Sequence, residues 1–183
     1  MTDEVKVDVR RSGRVFEAEA VLDLAADAQT VWDTVTDYAA LARFMPGIRA
    51  CRVVERHALA GGDERLVVEQ QGEFRFLLFA QSMTVLLNIE NQRLRVSEAT
   101  AVSFKLGLLG RRVIDVFVGR YELSALSVRR GPPRVQLRYT ARIGLRIPPP
   151  PAIGSVAVRQ NLLTQLEAVA AEVARRSAQG AKT

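Results

Sequence analysis

Hydrophobic and polar positions alternate over Val15–Leu24, with Phe16, Ala18, Ala20, Leu22 and Leu24 on one face and Glu17, Glu19 and Asp23 on the other. That period of two predicts a strand with one buried and one wet face. Val5, Val7 and Val9 alternate too, so residues 1–14 read as either an extra strand or an N-terminal extension of the first. The period then changes. Asp27 is placed to cap a helix running to about Tyr38, with Val31, Val35 and Tyr38 on one face and Trp32 beside them. Ala39–Met45 adds a turn or two before Pro46-Gly47 breaks the pattern.

Beyond the break, strand follows strand. The pattern predicts Arg49–His57, a turn at Ala60–Asp63, Arg65–Phe79 with a bulge at Gly72, Ser82–Glu90, a turn at Asn91-Gln92, and Leu94–Ala99. Phe104–Arg112, holding Gly107 and Gly110, reads as an irregular rim. Val113–Leu126 is a long strand, Arg129–Pro133 a turn, and Val135–Leu145 the last strand, with Val135, Leu137, Tyr139, Ala141, Ile143 and Leu145 facing one way. Pro148–Pro151 cannot continue a ladder. A helix over about Ala152–Arg176 then presents Val156, Arg159, Leu162, Leu163, Leu166, Val169, Ala170 and Val173 as a broad stripe. Residues 177–183 are expected to form a disordered tail. No repeat or linker divides the chain, so residues 15–176 read as a single domain. The expected class is α+β: a curved antiparallel sheet of about seven strands wrapped around a long C-terminal helix, with two short helices after the first strand. The closing helix alone is long enough to cover the sheet's apolar face.

The composition fits this picture. A chain of 183 residues with 48% hydrophobic and 25% charged residues is the size of one domain with a real core. No apolar run approaches the ~18 residues of a membrane span. The start, MTDEVKVDVRRSG, lacks the apolar stretch of a secretory signal, so a cytoplasmic location is expected, with a membrane-peripheral one left open. The net charge of +6 is carried almost wholly by arginine. Arg134, Arg138, Arg142 and Arg146 recur on the wet face of the last strand, ~13 Å apart at ~3.3 Å per residue. Such a row either meets an anionic surface (RNA phosphates or acidic lipid) or pairs with Glu122 and similar neighbours. It lacks aromatics for base stacking, and no DNA partner is expected.

Little in the chain suggests metal or nucleophilic chemistry. His57, the sole histidine, sits at a strand end beside a turn, where exposure is expected. Cys51, the sole cysteine, cannot form an internal disulfide and reads as a small buried residue. Zinc spacings, phosphate loops and nucleophile elbows are absent, so neither metal nor cofactor is expected. A sheet wrapped on a helix commonly encloses a cavity. If Arg52 and Arg56 face solvent, alternation turns Arg49, Cys51 and Val53 inward. Arg159 lies on the apolar stripe near Leu163. Two arginines bordering a cavity walled by Phe74, Phe76, Phe104, Phe117, Tyr121 and Tyr139 would suit a greasy ligand with an anionic or carbonyl head. The other reading has both arginines snorkelling to solvent, or paired with Glu69 or Glu73.

This order of elements resembles the helix-grip fold of the START/Bet v 1-like (SRPBCC) superfamily. AADAQTVWDTVTDYAALARFMPGIRACRVVE is similar to the opening of its polyketide cyclase/coenzyme Q-binding branch, and VGRYEL (118–123) to that branch's Gly-x-aromatic strand. IPPPPAIGSVAVRQNLLTQLEAVAAEVARR is similar to its proline-launched closing helix. The resemblance covers most of residues 15–176, and Asp37-Tyr38 with Phe44-x-Pro46-Gly47 is its most specific part. It implies a hydrophobic cavity between sheet and helix. In the superfamily's plant-hormone receptors a basic residue at a place similar to Arg49 meets a ligand carboxylate. Members of the branch bind isoprenoid quinones or other lipids, cyclise polyketides, or associate with the ribosome. The expected function is binding of a lipid, isoprenoid quinone or polyketide-like molecule, because aromatic walls outnumber titratable groups. The rivals are a cofactor-free cyclase or dehydratase using Arg49, Tyr121 or Tyr139 as hydrogen-bond donors, and a ribosome- or membrane-associating protein. The oligomeric state is left open.

Overall fold

The computed structural model of the chain describes residues 5–76, 79–106, 114–127, 131–147 and 150–180, with the backbone alone at 74–76, 79–81, 105–106 and 151–152. β1 (Lys6–Ser12) and β2 (Val15–Leu24) form a hairpin around Gly13, whose φ of 58° suits a residue without a Cβ. The N-terminal segment is thus a strand in its own right. α1 (Ala28–Thr36) begins at Asp27, whose carboxylate accepts the Thr30 amide and hydroxyl, each at 2.8 Å. Those bonds favour the ionised cap and lower the Asp27 pKa. α2 (Leu41–Phe44) is a single turn that stops short of Pro46.

The remaining strands are β3 (Ile48–Ala58), β4 (Glu64–Phe76), β5 (Phe79–Gln92), β6 (Val96–Leu106), β7 (Ile114–Leu126) and β8 (Arg134–Leu145). They form one eight-stranded antiparallel sheet in the order β1-β2-β8-β7-β6-β5-β4-β3, one more strand than the seven or so expected. The segment holding α1 and α2 therefore carries the chain from β2 to the far edge at β3. α3 (Pro151–Gly180) packs against β1, β2, α1 and α2. Leu166, Val169 and Val173 of α3 are buried among Phe16, Val31, Val135 and Leu137.

Boundaries move where turn chemistry is missing or misleading. The strand expected over Arg65–Phe79 ends at Phe76 and β5 starts at Phe79, a boundary that no Gly, Pro, Asn or Asp marks in the sequence. Asn91 and Gln92 are strand residues. The turn falls just after them, and Leu94 takes up its left-handed φ of 61°. Phe104, read as rim, belongs to β6, while residues 107–112 lie outside the described residues. The bulge expected at Gly72 is on the opposite strand. Ile48 pairs with Gly72 and Ala50 with Gln71, leaving Arg49 as the extra residue. Gly72 remains essential there, since a Cβ would collide with the Gly47 carbonyl oxygen. α3 runs past Arg176, so residues 177–180 form its last turn rather than a tail; 181–183 lie outside the described residues. Its buried stripe starts at Val158, and Val156 is exposed.

Ion pairs fasten the closing helix to α1. Arg176 donates to the Asp37 carboxylate at 2.9 Å and to the Asp33 carbonyl at 3.2 Å, while Glu172 accepts from Arg175 and Arg176 at 2.7 and 2.8 Å. These arginine bonds, with Arg175 first, hold the Glu172 pKa down at about 2 against the opposing effect of burial. Asp37 of the Asp37-Tyr38 signature thus serves structure.

Candidate functional site

Between the sheet's inner face and α3 lies a cavity of ≈ 230 Å³. The register explains why there is room. Ala18, Ala141, Gly119 and Ala99 stand side by side across β2, β8, β7 and β6, a row of small residues that hollows the sheet. Gly119 has no room for a side chain. A Cβ there would sit 2.9 Å from the Tyr139 hydroxyl and 3.2 Å from Phe117 Cζ.

The neighbouring row on the same face is polar: Tyr139, Tyr121, Ser97, Asn91 and Glu64 pair successively from β8 to β4. Part of it is internally satisfied. The Tyr38 hydroxyl bonds Asn91 Oδ1 at 3.2 Å and lies 3.4 Å from Ser97 Oγ, and Asn91 Nδ2 donates to Glu64 Oε1 at 2.9 Å. Arg56 closes the chain on Glu64 at 3.1 Å. Asn91 is fully buried, although its residue type suggests a turn.

Tyr121 and Tyr139 differ from Tyr38. Their rings face each other at 4.6 Å with a tilt of 41°, both line the cavity, and neither hydroxyl has a hydrogen-bond partner among the described residues. Burial pushes Tyr139 up to about 12 and, with the neighbouring Tyr139 and Tyr38, pushes Tyr121 well above the ordinary phenol range. Tyr121 keeps some accessible surface because it faces the cavity rather than packed protein. Both phenols are donors at neutral pH.

Phe104 and Phe117 also line the cavity. The side chains of Phe74 and Phe76 lie outside the described residues. Arg49 does not line it. The bulge breaks the alternation, so Arg49 and Ala50 both face outward and the Arg49 side chain, 64% exposed, pairs with Glu73. Arg52 pairs likewise with Glu69 at 3.1 Å. Arg159 turns away as well, donating to the Val7 carbonyl on β1. Cys51, Val53 and Leu163 are half-buried against the core but do not line the cavity. Burial pushes the Cys51 thiol up to about 11, which leaves it a poor nucleophile. His57 is exposed, 3.7 Å from Glu55.

The polar lining comes instead from Glu73 on β4, expected from sequence only as an arginine partner, and from residues not singled out by sequence: Gln70 on β4, Ser97 on β6, and Asn161 and Gln165 on α3. Asn161 and Gln165 flank Leu162 at helical spacing, so an interrupted apolar stripe was the available signal. Trp32 is buried in α1, away from the cavity lining. On the outer face, Arg138 meets Glu19 at 3.0 Å, Arg146 meets Asp115 at 3.3 Å, and Arg142 stands opposite Glu17 in register. Among the described residues, no cluster of His, Cys, Asp or Glu could hold a metal ion. No described helix is long and apolar enough to cross a membrane.

Comparison with known proteins places this geometry. A START superfamily protein from Mycobacterium smegmatis aligns with a TM-score of 0.66 at 14% identity, over 87% of this chain and 97% of its own. The Zhui aromatase/cyclase from Streptomyces sp. R1128 aligns with a TM-score of 0.64 at 18% identity, over 88% and 95%. A STAR-related lipid transfer protein from Xanthomonas axonopodis aligns with a TM-score of 0.61 at 16% identity, over 94% and 95%. At such identities these likenesses speak for the fold, a helix grip. No curated protein sequence is significantly similar. The model of the family described as polyketide cyclase/dehydrase and lipid transport matches residues 24–170, and the chain belongs to that family.

Proposed function

We propose that the protein binds a hydrophobic small molecule, of lipid, isoprenoid or polyketide-like character, in the cavity between the sheet and α3. The observation that carries this reading is the cavity itself. Phe104, Phe117, Met83 and Leu162 wall it, and the phenols of Tyr121 and Tyr139 reach it without hydrogen-bond partners among the described residues. Its ≈ 230 Å³ lies below the about 300–1,000 Å³ usual for small-molecule sites, so it favours one compact ring system or a short chain. The family, and the lipid transfer protein and aromatase/cyclase among its structural neighbours, support the same class of ligand. Ala99→Phe tests the reading by placing a ring where the hollow now is. Native mass spectrometry of freshly purified protein should find a non-covalent adduct on the wild type and none on the variant. An adduct of equal occupancy on both would place the ligand elsewhere.

The same two phenols favour a second reading, a cofactor-free cyclase or dehydratase in which they polarise a carbonyl. Turnover of a poly-carbonyl substrate that vanishes in Tyr121→Phe would establish it, and unchanged turnover would remove it. An anionic-surface role for Arg134, Arg138, Arg142 and Arg146 draws support from the net charge of +6. Arg138→Glu with Arg142→Glu should then abolish co-sedimentation with anionic vesicles at low salt. An absence of binding in the wild type would remove that role.

A further inference from the structure

Building on the reading of the cavity as a ligand site, we propose that Tyr121 and Tyr139 form a two-phenol seat for a single carbonyl oxygen. The cavity would thereby select an uncharged ketone carried on a ring framework over the corresponding ring carboxylate. The two residues are direct cross-strand partners on β7 and β8, with ring centroids 4.6 Å apart. Tyr38 spends its hydroxyl on Asn91 and Ser97, whereas the hydroxyls of Tyr121 and Tyr139 have no partner among the described residues and open onto the cavity. Gly119 lets the Tyr139 oxygen overhang the hollow instead of packing against a side chain.

Two shielded donors on neighbouring rings call for an acceptor, because a purely apolar occupant would leave both unpaired. A carbonyl oxygen has two lone pairs and can accept from both. Shielding also holds both groups in the protonated, donating form at neutral pH. An anion is disfavoured. Among the described residues no Lys or Arg lines the cavity, and the carboxylate that does, Glu73, has its arginine on the outside. A ligand carboxylate would be buried near a like charge with no counter-ion among the described residues.

The test uses 2-acetylnaphthalene, 2-naphthoate and 2-ethylnaphthalene, which share one ring framework and differ in carbonyl, charge and hydrogen bonding. Each is titrated calorimetrically against the wild type, Tyr121→Phe and Tyr139→Phe at pH 7. The ketone should bind tightest and the carboxylate at least tenfold more weakly. Each phenylalanine variant should lose about two- to tenfold in affinity for the ketone, leave 2-ethylnaphthalene within twofold, and raise the carbonyl-stretch frequency of the bound ketone. Equal losses for ketone and hydrocarbon would make the tyrosines packing residues and overturn the seat. So would 2-naphthoate binding as tightly as the ketone. If none of the three binds to a wild type with a normal melting curve, the ligand-site reading itself fails.

Discussion

Gly119→Ala probes the point on which the cavity floor depends. The added Cβ would lie 2.9 Å from the Tyr139 hydroxyl and 3.2 Å from Phe117 Cζ, so at least one packed ring must move. Overpacking of this kind costs about 1–3 kcal/mol. Replacing glycine recovers about 0.4–1 kcal/mol by restricting the unfolded chain. The net loss is roughly 0–2.6 kcal/mol, which for a chain of this length lowers the melting temperature by up to about 10 °C. The double variant Gly119→Ala/Tyr139→Phe removes the nearest clashing atom and should recover part of that loss. Urea denaturation of the four proteins in the cycle gives the coupling, expected at about 0.5–1 kcal/mol in the direction of rescue. If the two substitutions add within about 0.3 kcal/mol, or Gly119→Ala raises stability, the Tyr139 hydroxyl does not sit over Gly119.

Other consequences can be checked independently. Leu166, 1% exposed, anchors α3 in the core, so Leu166→Ala should cost about 2–5 kcal/mol in chemical denaturation; an unchanged midpoint would mean the helix is not packed there. The folded-state pKa of Glu172 is depressed from 4.5 to about 2, so its contribution to stability is present above pH 4.5 and lost as pH falls toward 2. Melting temperatures from pH 5 to pH 2 should therefore fall less steeply in Glu172→Gln than in the wild type, and parallel curves would contradict the pairing. Arg49→Met should leave 2-acetylnaphthalene affinity within twofold, because the guanidinium lies outside the cavity; a tenfold loss by calorimetry would put it back in the site.

Where a local pattern coincided with burial, the fold was legible. Val15–Leu24 and the last strand alternate without interruption, and Asp27 precedes a helix face of Val31 and Val35, so strand, cap and helix were read correctly. The site was less legible because parity decides which way a strand residue points. A single inserted residue reversed Arg49, and the opposing Gly72 told of a bulge without telling which strand held it. Arg159 illustrates a different limit. Its place on an apolar stripe says that the stem is covered, but the head reaches β1, a partner 152 residues away in sequence. Tyr121 and Tyr139 were recognisable as wall residues. That they pair, and that Tyr38 rather than either of them takes the Asn91 bond, follows from register, which no local pattern encodes.

The central claim, that the space between the sheet and α3 holds the ligand, is tested most directly by methyl-resolved NMR during titration with 2-acetylnaphthalene. Saturable shifts and intermolecular NOEs should centre on Met83, Val85, Leu87, Leu162 and Val169, which line the cavity. Exposed Val54, Leu59 and Val102 should stay unmoved. Saturable shifts confined to those exposed methyls, or no shift at millimolar ligand, would contradict the account.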